Sequence, residues 1–197
     1  FPQQQRTIRR FLRQQPHIIM VEPDAAMERL IARQYRTKLR GYATDQVVSL
    51  PRGLRHVRIP DDRGGSQVAP LVAEAMLFQA REMGVEVDVA IFNAGGARIS
   101  LPPGPVSAAE LAGRLLPFAS TISYFDVRGE QLKQALEGAI VNALELGGSG
   151  SFPYPADLRY SYHASAPRGH RVRQLHVKDR HGRWQLFDEQ RDYRLIT

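Results

Sequence analysis

The run Val85-Glu86-Val87-Asp88-Val89-Ala90-Ile91-Phe92 alternates apolar and polar residues and then stops at Asn93-Ala94-Gly95-Gly96-Ala97-Arg98. Such alternation dictates a strand with a buried face. The Gly-Gly that follows dictates a turn at the strand's C-terminal end. Ligands in α/β sheets sit where strands end in loops. Asn93 supplies an amide there, and Arg98 a planar fork that grips phosphate or carboxylate. Gly95 and Gly96 let a ligand approach the backbone with no Cβ in the way. Leu116-Pro117-Phe118 adds an aromatic ring. Taken singly, these residues are a turn, a solvated arginine and a piece of core. Together they can hold an anion that carries a flat base.

The rest of the chain alternates helical and strand signals. Asp24 is positioned to cap a helix reaching about Arg40, with Met27, Leu30, Ile31, Tyr35 and Leu39 as its apolar stripe and Gly41 as its stop. Gln46 to Leu50 reads as a strand, and Arg52 to Arg63 as a basic loop. Ser66 opens a helix through about Met83, with Val68, Leu71, Val72, Ala75 and Met76 on its apolar face. Ser107-Ala108-Ala109-Glu110 has the form of a capping box, which predicts a helix from Ala108 to about Leu116. Ile122–Arg128 reads as a strand, Glu130–Leu146 as a helix stopped by Gly147-Gly148, and Leu158–Tyr162 as a strand. Val172–Val177 and Trp184–Phe187 form a hairpin across His181-Gly182. Strands and helices mix without strict βαβ order and without an internal repeat. The expected class is α/β or α+β with a mixed sheet.

The 197 residues suffice for one domain with a sizeable core. Cysteine is absent, which removes disulfides, thiol catalysis and Cys-based metal sites and leaves the compartment open. No run approaches the ~20 apolar residues of a membrane span. The net charge of +7 would suit nucleic acid, but its distribution does not. Residues 1–60 hold 12 Lys or Arg against 4 Asp or Glu, whereas the remaining 137 residues hold 15 against 16. The basicity sits in the leader and first helix, with Arg6, Arg9, Arg10 and Arg13 clustered, so nucleic acid is not the expected partner. Phe1 is not an initiator methionine, so the chain is expected to be a fragment that need not carry its targeting segment.

The order strand, Asn-Ala-Gly-Gly-Ala-Arg, proline-glycine turn, capped helix ending Leu-Leu-Pro-Phe, strand Ile-Ser-Tyr-Phe-Asp-Val-Arg-Gly, helix Glu-Gln-Leu-Lys-Gln-Ala-Leu-Glu resembles the C-terminal domain of the 5'-nucleotidase family. That family includes bacterial periplasmic UDP-sugar hydrolases and animal ecto-5'-nucleotidases. The resemblance runs from about Pro23 to Thr197 and is most specific from Asn93 to Glu137. It implies a layered sandwich with a mixed sheet. It also implies a division into a linker or tail over 1–23, an interdomain helix over 24–40 and a nucleotide-binding domain over 41–197. Asn93, Gly95 and Arg98 would meet the base and the anionic end of a nucleotide, and Phe118 would stack on the base. Such stacking is worth roughly 1–3 kcal/mol. Ser120 lies where many members carry Asn, and Gly150 matches a substrate-loop glycine. Arg63 is the best match to a further substrate arginine, with Arg58 competing for that role.

By the same resemblance, the catalytic half lies in an N-terminal metallophosphoesterase domain of the same polypeptide. There, two divalent metals held by Asp, His and Asn drive in-line attack on phosphorus. Rotation about the interdomain helix would carry the nucleotide to those metals. The implied compartment is the periplasm or the cell surface. The chain's own histidines, His17, His56, His163, His170, His176 and His181, stand in no such motif, and the expectation is of scattered surface histidines. No metal or catalytic residue is therefore assigned to this stretch, and no Gly-x-Ser-x-Gly elbow or P-loop occurs. The family's second stacking aromatic follows a strand matched by Asp192–Thr197, where this chain stops, so a domain truncated at its C-terminus is expected. A second reading stays open: a noncatalytic binding module with a diverged pocket, its basic leader engaging an anionic partner.

Overall fold

A computed structural model describes residues 24–31, 45–118 and 120–197. The chain divides into two compact units, Phe1–Tyr42 and Ala43–Thr197. In the first, helix α1 spans Ala25–Ile31. Asp24 caps it as the sequence predicts, its Oδ1 accepting from the Ala26 and Met27 amides at 2.7 and 3.3 Å. The expected continuation to Arg40 lies outside the described residues.

The second unit is built on a mixed four-stranded sheet. Its strands are β2 (Val89–Asn93), β4 (Tyr124–Arg128), β5 (Pro153–Ala156) and β9 (Asp192–Ile196), ordered β4-β9-β2-β5. β2 and β9 run parallel, and the other neighbours antiparallel. Successive side chains of a strand point to opposite faces, and that alternation creates the layers. Val89 and Leu195 pack on one face with Leu132, Leu136 and Ile140 of α4 (Gly129–Glu145). Ala90 and Ile196 pack on the other with Ala73, Met76, Leu77 and Ala80 of α2 (Val68–Glu82). The result is a helix–sheet–helix sandwich. Two smaller sheets flank it: β1 (Gln46–Leu50) with β3 (Gly104–Ser107), and β6 (Leu158–Tyr162), β7 (Val172–Lys178) and β8 (Trp184–Leu186) in that order. The predicted hairpin is β7–β8. Asp179 closes its turn by accepting from the His181 and Arg183 amides at 2.8 and 2.9 Å.

Four local expectations are corrected. The strand expected over 85–92 begins only at Val89. Asp88 diverts the chain before it: its amide donates to the Arg194 carbonyl, while its carboxylate takes the Arg194 amide and the Arg191 guanidinium. The strand expected from Ile122 starts at Tyr124. The helix expected over 108–116 is a single turn, α3 (Ala108–Glu110), that widens into a π-type turn over Leu111–Leu115. Ser107 does accept from the Glu110 amide at 3.2 Å, but the Glu110 carboxylate pairs forward with Arg114. Finally, Val68 and Met76 of α2 are buried, whereas Leu71 and Ala75 are exposed. Alanines 69, 73 and 80 form the stripe instead, because a helix lying close on a sheet favours small side chains at the contact.

Candidate functional site

β2 ends at Asn93, and the chain turns through a 3₁₀ turn over Ala94–Gly96. Three backbone and side-chain links pin this loop. The Ala94 amide donates to the Phe152 carbonyl at 2.9 Å, the Arg98 amide donates to the Leu115 carbonyl at 3.0 Å, and Asn93 Nδ2 donates to the Gly150 carbonyl at 3.3 Å. The last link joins the loop to a second 3₁₀ turn, Ser149–Ser151. Gly95 and Gly150 meet backbone to backbone: a Cβ on Gly95 would stand 3.1 Å from the Gly150 Cα, and one on Gly150 would stand 3.2 Å from the Gly95 Cα. Side chains at either position would crowd that approach.

The second turn is itself fixed from α4. Asn142 Nδ2 donates to Ser151 Oγ at 3.0 Å, and the Ser151 hydroxyl donates to the Gly148 carbonyl at 2.8 Å. The two glycine turns thus form one wall, buttressed by a helix.

Arg98 crosses in front of it. Its Nη1 donates to the Gly95 carbonyl at 3.2 Å, and its guanidinium carbon lies 5.6 Å from the centre of the Phe118 ring. Phe118 is 58% exposed. A large aromatic that open beside a guanidinium offers a surface for stacking. From the other side Arg58 reaches in, its Nη1 donating to Ser149 Oγ at 3.3 Å. Arg55 is engaged elsewhere, by Asp61 and by the Gly64 carbonyl.

The fold therefore brings Asn93, Gly95, Arg98, Phe118 and Gly150 together. Arg63 sits in the turn between Asp61 and Gly64, its amide donating to Asp61 Oδ1 at 3.0 Å, and it is Arg58 that contacts the Ser149–Ser151 turn. Ser120 is exposed on the segment entering β4, and among the described residues nothing bonds it to the loop. The arrangement can bind an anion between two guanidiniums and a flat ring on Phe118. Among the described residues no cluster of three or more His, Asp or Glu could hold a metal ion, so no step through a metal is derived for this chain.

Among the described residues, His56 departs furthest from the surface expectation. His163, His170 and His181 are exposed and His176 is half-buried, His17 lies outside the described residues, and His56 is half-buried with its ring Nε2 fully buried. Burial holds its pKa below the ordinary imidazole value. The Ala97 and Ala94 carbonyls oppose that shift, and the charges of Arg58 and Arg98 reinforce it. Sequence reasoning missed His56 because a lone histidine in a nonperiodic basic loop carries no pattern. Asn142 escaped for a similar reason: an amide near a helix C-terminus looks solvated until its partner turn folds back on it.

A cavity of about 1180 Å³ lies at the opposite end of β2. Of the six carboxylates lining it, Asp88, Asp126, Asp157, Asp179 and Asp192 are engaged by Arg191, Arg194, Arg81 and Lys178, Arg183, and Arg128 respectively. Those pairs tie strands and turns together, so volume alone does not mark it as the binding site.

Comparison with known proteins gives a consistent family. The sequence model described as "5'-nucleotidase, C-terminal domain" matches residues 44–197. A probable 5'-nucleotidase of Treponema pallidum is 41% identical over 142 residues, which cover 70% of this chain and 24% of that protein. The NAD 5'-nucleotidase of Haemophilus influenzae is 33% identical over 146 residues, covering 71% of this chain and 23% of that protein. The solved structure of Haemophilus influenzae NAD nucleotidase superposes with a TM-score of 0.69 at 28% identity, covering 98% of this chain and 35% of that one. The chain spans about a quarter of the length of these curated relatives.

Proposed function

Since the chain belongs to the family of 5'-nucleotidase C-terminal domains, we propose that it is the substrate-binding domain of a phosphohydrolase acting on nucleoside monophosphates or related nucleotides such as nucleotide sugars or NAD. The observation that carries this reading is the convergence of Arg98 and Phe118, 5.6 Å apart, at the mouth of a wall made by two touching glycine turns. Phe118 offers a face to the base, Asn93 an amide to its polar edge, and Arg98 and Arg58 charge to the anionic end. Binding energy gathered here, away from the reacting phosphorus, positions the substrate for chemistry supplied elsewhere in the polypeptide. That other part is an N-terminal metallophosphoesterase domain with two divalent metals. On the same reading the whole protein works in nucleotide catabolism in the periplasm or at the cell surface, which cell fractionation with an antibody to this domain checks.

Calorimetric titration of the chain with adenosine, AMP and UDP-glucose tests the proposal, beside an Arg98→Ala, Phe118→Ala double variant. The expected outcome is binding by the parent chain and its loss in the variant, with stacking alone accounting for roughly 1–3 kcal/mol. Equal affinities in the two proteins would remove the site from this loop.

A further inference from the structure

We infer that His56 is the positioning residue of the Asn93–Arg98 loop: its Nε2–H, aimed by the Ser66 hydroxyl, props the Ala94–Ala97 carbonyl edge and so sets where Arg98 and the Gly95 backbone meet a ligand. The inference rests on the nucleotide-binding reading of the loop for its functional meaning, but its structural core stands apart from it.

The tautomer follows from counting hydrogens. Ser66 Oγ accepts from the amides of Val68 and Ala69 at 3.2 and 2.9 Å. A hydroxyl oxygen has two acceptor positions and one hydrogen. Both acceptor positions are taken by the head of α2, so the Ser66 hydroxyl is left to donate. Its remaining partner is His56 Nδ1, 2.9 Å away. Nδ1 is therefore the acceptor, and in the neutral ring the proton sits on Nε2. Ser66 is 7% exposed, so water does not compete for this arrangement.

Nε2 is buried and has no hydrogen-bond partner among the described residues, while the Ala97 and Ala94 carbonyls of the loop act on the ring. A buried N–H calls for an acceptor, and the loop carbonyls that act on the ring are the ones assigned to it here. The backbone of His56 is anchored separately, its amide donating to Ser100 Oγ at 2.9 Å. His56 is thus held through its ring by Ser66 at the head of α2 and through its backbone by Ser100 after the loop, with the loop carbonyls beside the ring. The charged groups facing it are Arg58 of its own segment and Arg98 of the loop, the two guanidiniums assigned to the ligand's anionic end.

Two substitutions separate the two ring nitrogens. His56→Gln carries an amide N–H to the Nε2 position, and His56→Asn carries an acceptor to the Nδ1 position. Amide hydrogen exchange at Ala94 and Arg98 reads the loop without ligand, and AMP titration reads it with ligand. We expect exchange to quicken and AMP affinity to fall roughly tenfold in His56→Asn, the scale of one lost neutral hydrogen bond. His56→Gln should hold both within about threefold of the parent. A purely space-filling histidine would lower the melting temperature in both variants and move neither readout selectively, and that result overturns the inference. Nitrogen NMR of the parent imidazole is the check that needs no variant: a proton on Nδ1 in the neutral ring also overturns it. Were the parent chain to show no AMP binding, the nucleotide reading would fail, and exchange and tautomer would still decide the role of His56.

Discussion

A methyl group on Gly96 would stand 2.5 Å from the Phe92 ring, which is itself packed against buried side chains of all three apolar clusters. Gly96→Ala is expected to cost about 1–3 kcal/mol, as overpacking does, and to displace the loop that carries Arg98. Thermal unfolding and AMP titration read the two effects. Gly138 gives the opposite case. It is exposed in the middle of α4, and a Cβ there would meet nothing within 4 Å. Gly138→Ala should stabilise the protein by about 0.5–1 kcal/mol, since alanine gives up less backbone freedom on entering a helix. The pair distinguishes glycines held by space from glycines the fold merely tolerates.

Elements with strong local signals were legible in the sequence, and those governed by tertiary partners were not. Ser66 and Asp24 announce helix starts because their capping hydrogen bonds are made within three residues. Gly147, at φ +79°, marks where α4 must end. β5 escaped because Pro153 and Pro155 remove two amide donors, which argues against a strand; the fold places β5 at the sheet edge, bonded to β2 alone, where proline is tolerated. β3 reads as part of a proline-glycine turn for the same reason, but Pro105 faces Ser49 in a two-stranded sheet. At the site, the loop from Asn93 to Arg98 and the ring of Phe118 could be read from residue types and resemblance. The Ser149–Ser151 turn shows only its glycine, because its position depends on α4. Asn142→Ala tests that dependence. Removing the amide from Ser151 should cost about 1 kcal/mol of stability and weaken AMP binding through the Gly95–Gly150 contact. Unchanged binding would mean the wall stands without its helix.

Across the whole molecule, charge sets the response to acid. Asp179 is held down to about 2, first by the Arg183 amide. Asp61, Asp126 and Glu145 are also lowered, chiefly through hydrogen bonds from Arg55, Arg194, and Arg171 with Arg168. Each carboxylate binds its proton more readily in the unfolded chain. Their contribution is therefore complete above the ordinary carboxylate range and is lost as pH falls through it. His56 acts in the same direction but earlier, because its folded pKa lies below the unfolded value of 6.5. Urea midpoints measured from pH 8 downward should fall in two steps, the first beginning near 6.5 and absent in His56→Gln, the second in the carboxylate range.

The strand order carries a consequence of a different kind. β9 follows every other described strand in sequence, yet it lies between β4 and β2. Asp88, at the head of β2, accepts the Arg194 amide across 106 residues of chain. A nascent polypeptide emerging from the ribosome holds β2, β4 and β5 without the strand that joins β4 to the rest. Until residues 192–196 clear the exit tunnel, β2 and β4 expose unsatisfied edges to every neighbouring chain. Synthesis proceeds at roughly 5–20 residues per second, so that interval lasts seconds. Pairing so distant in sequence also folds slowly. The sheet cannot close before β9 is made, and until then its folding depends on what shields those edges.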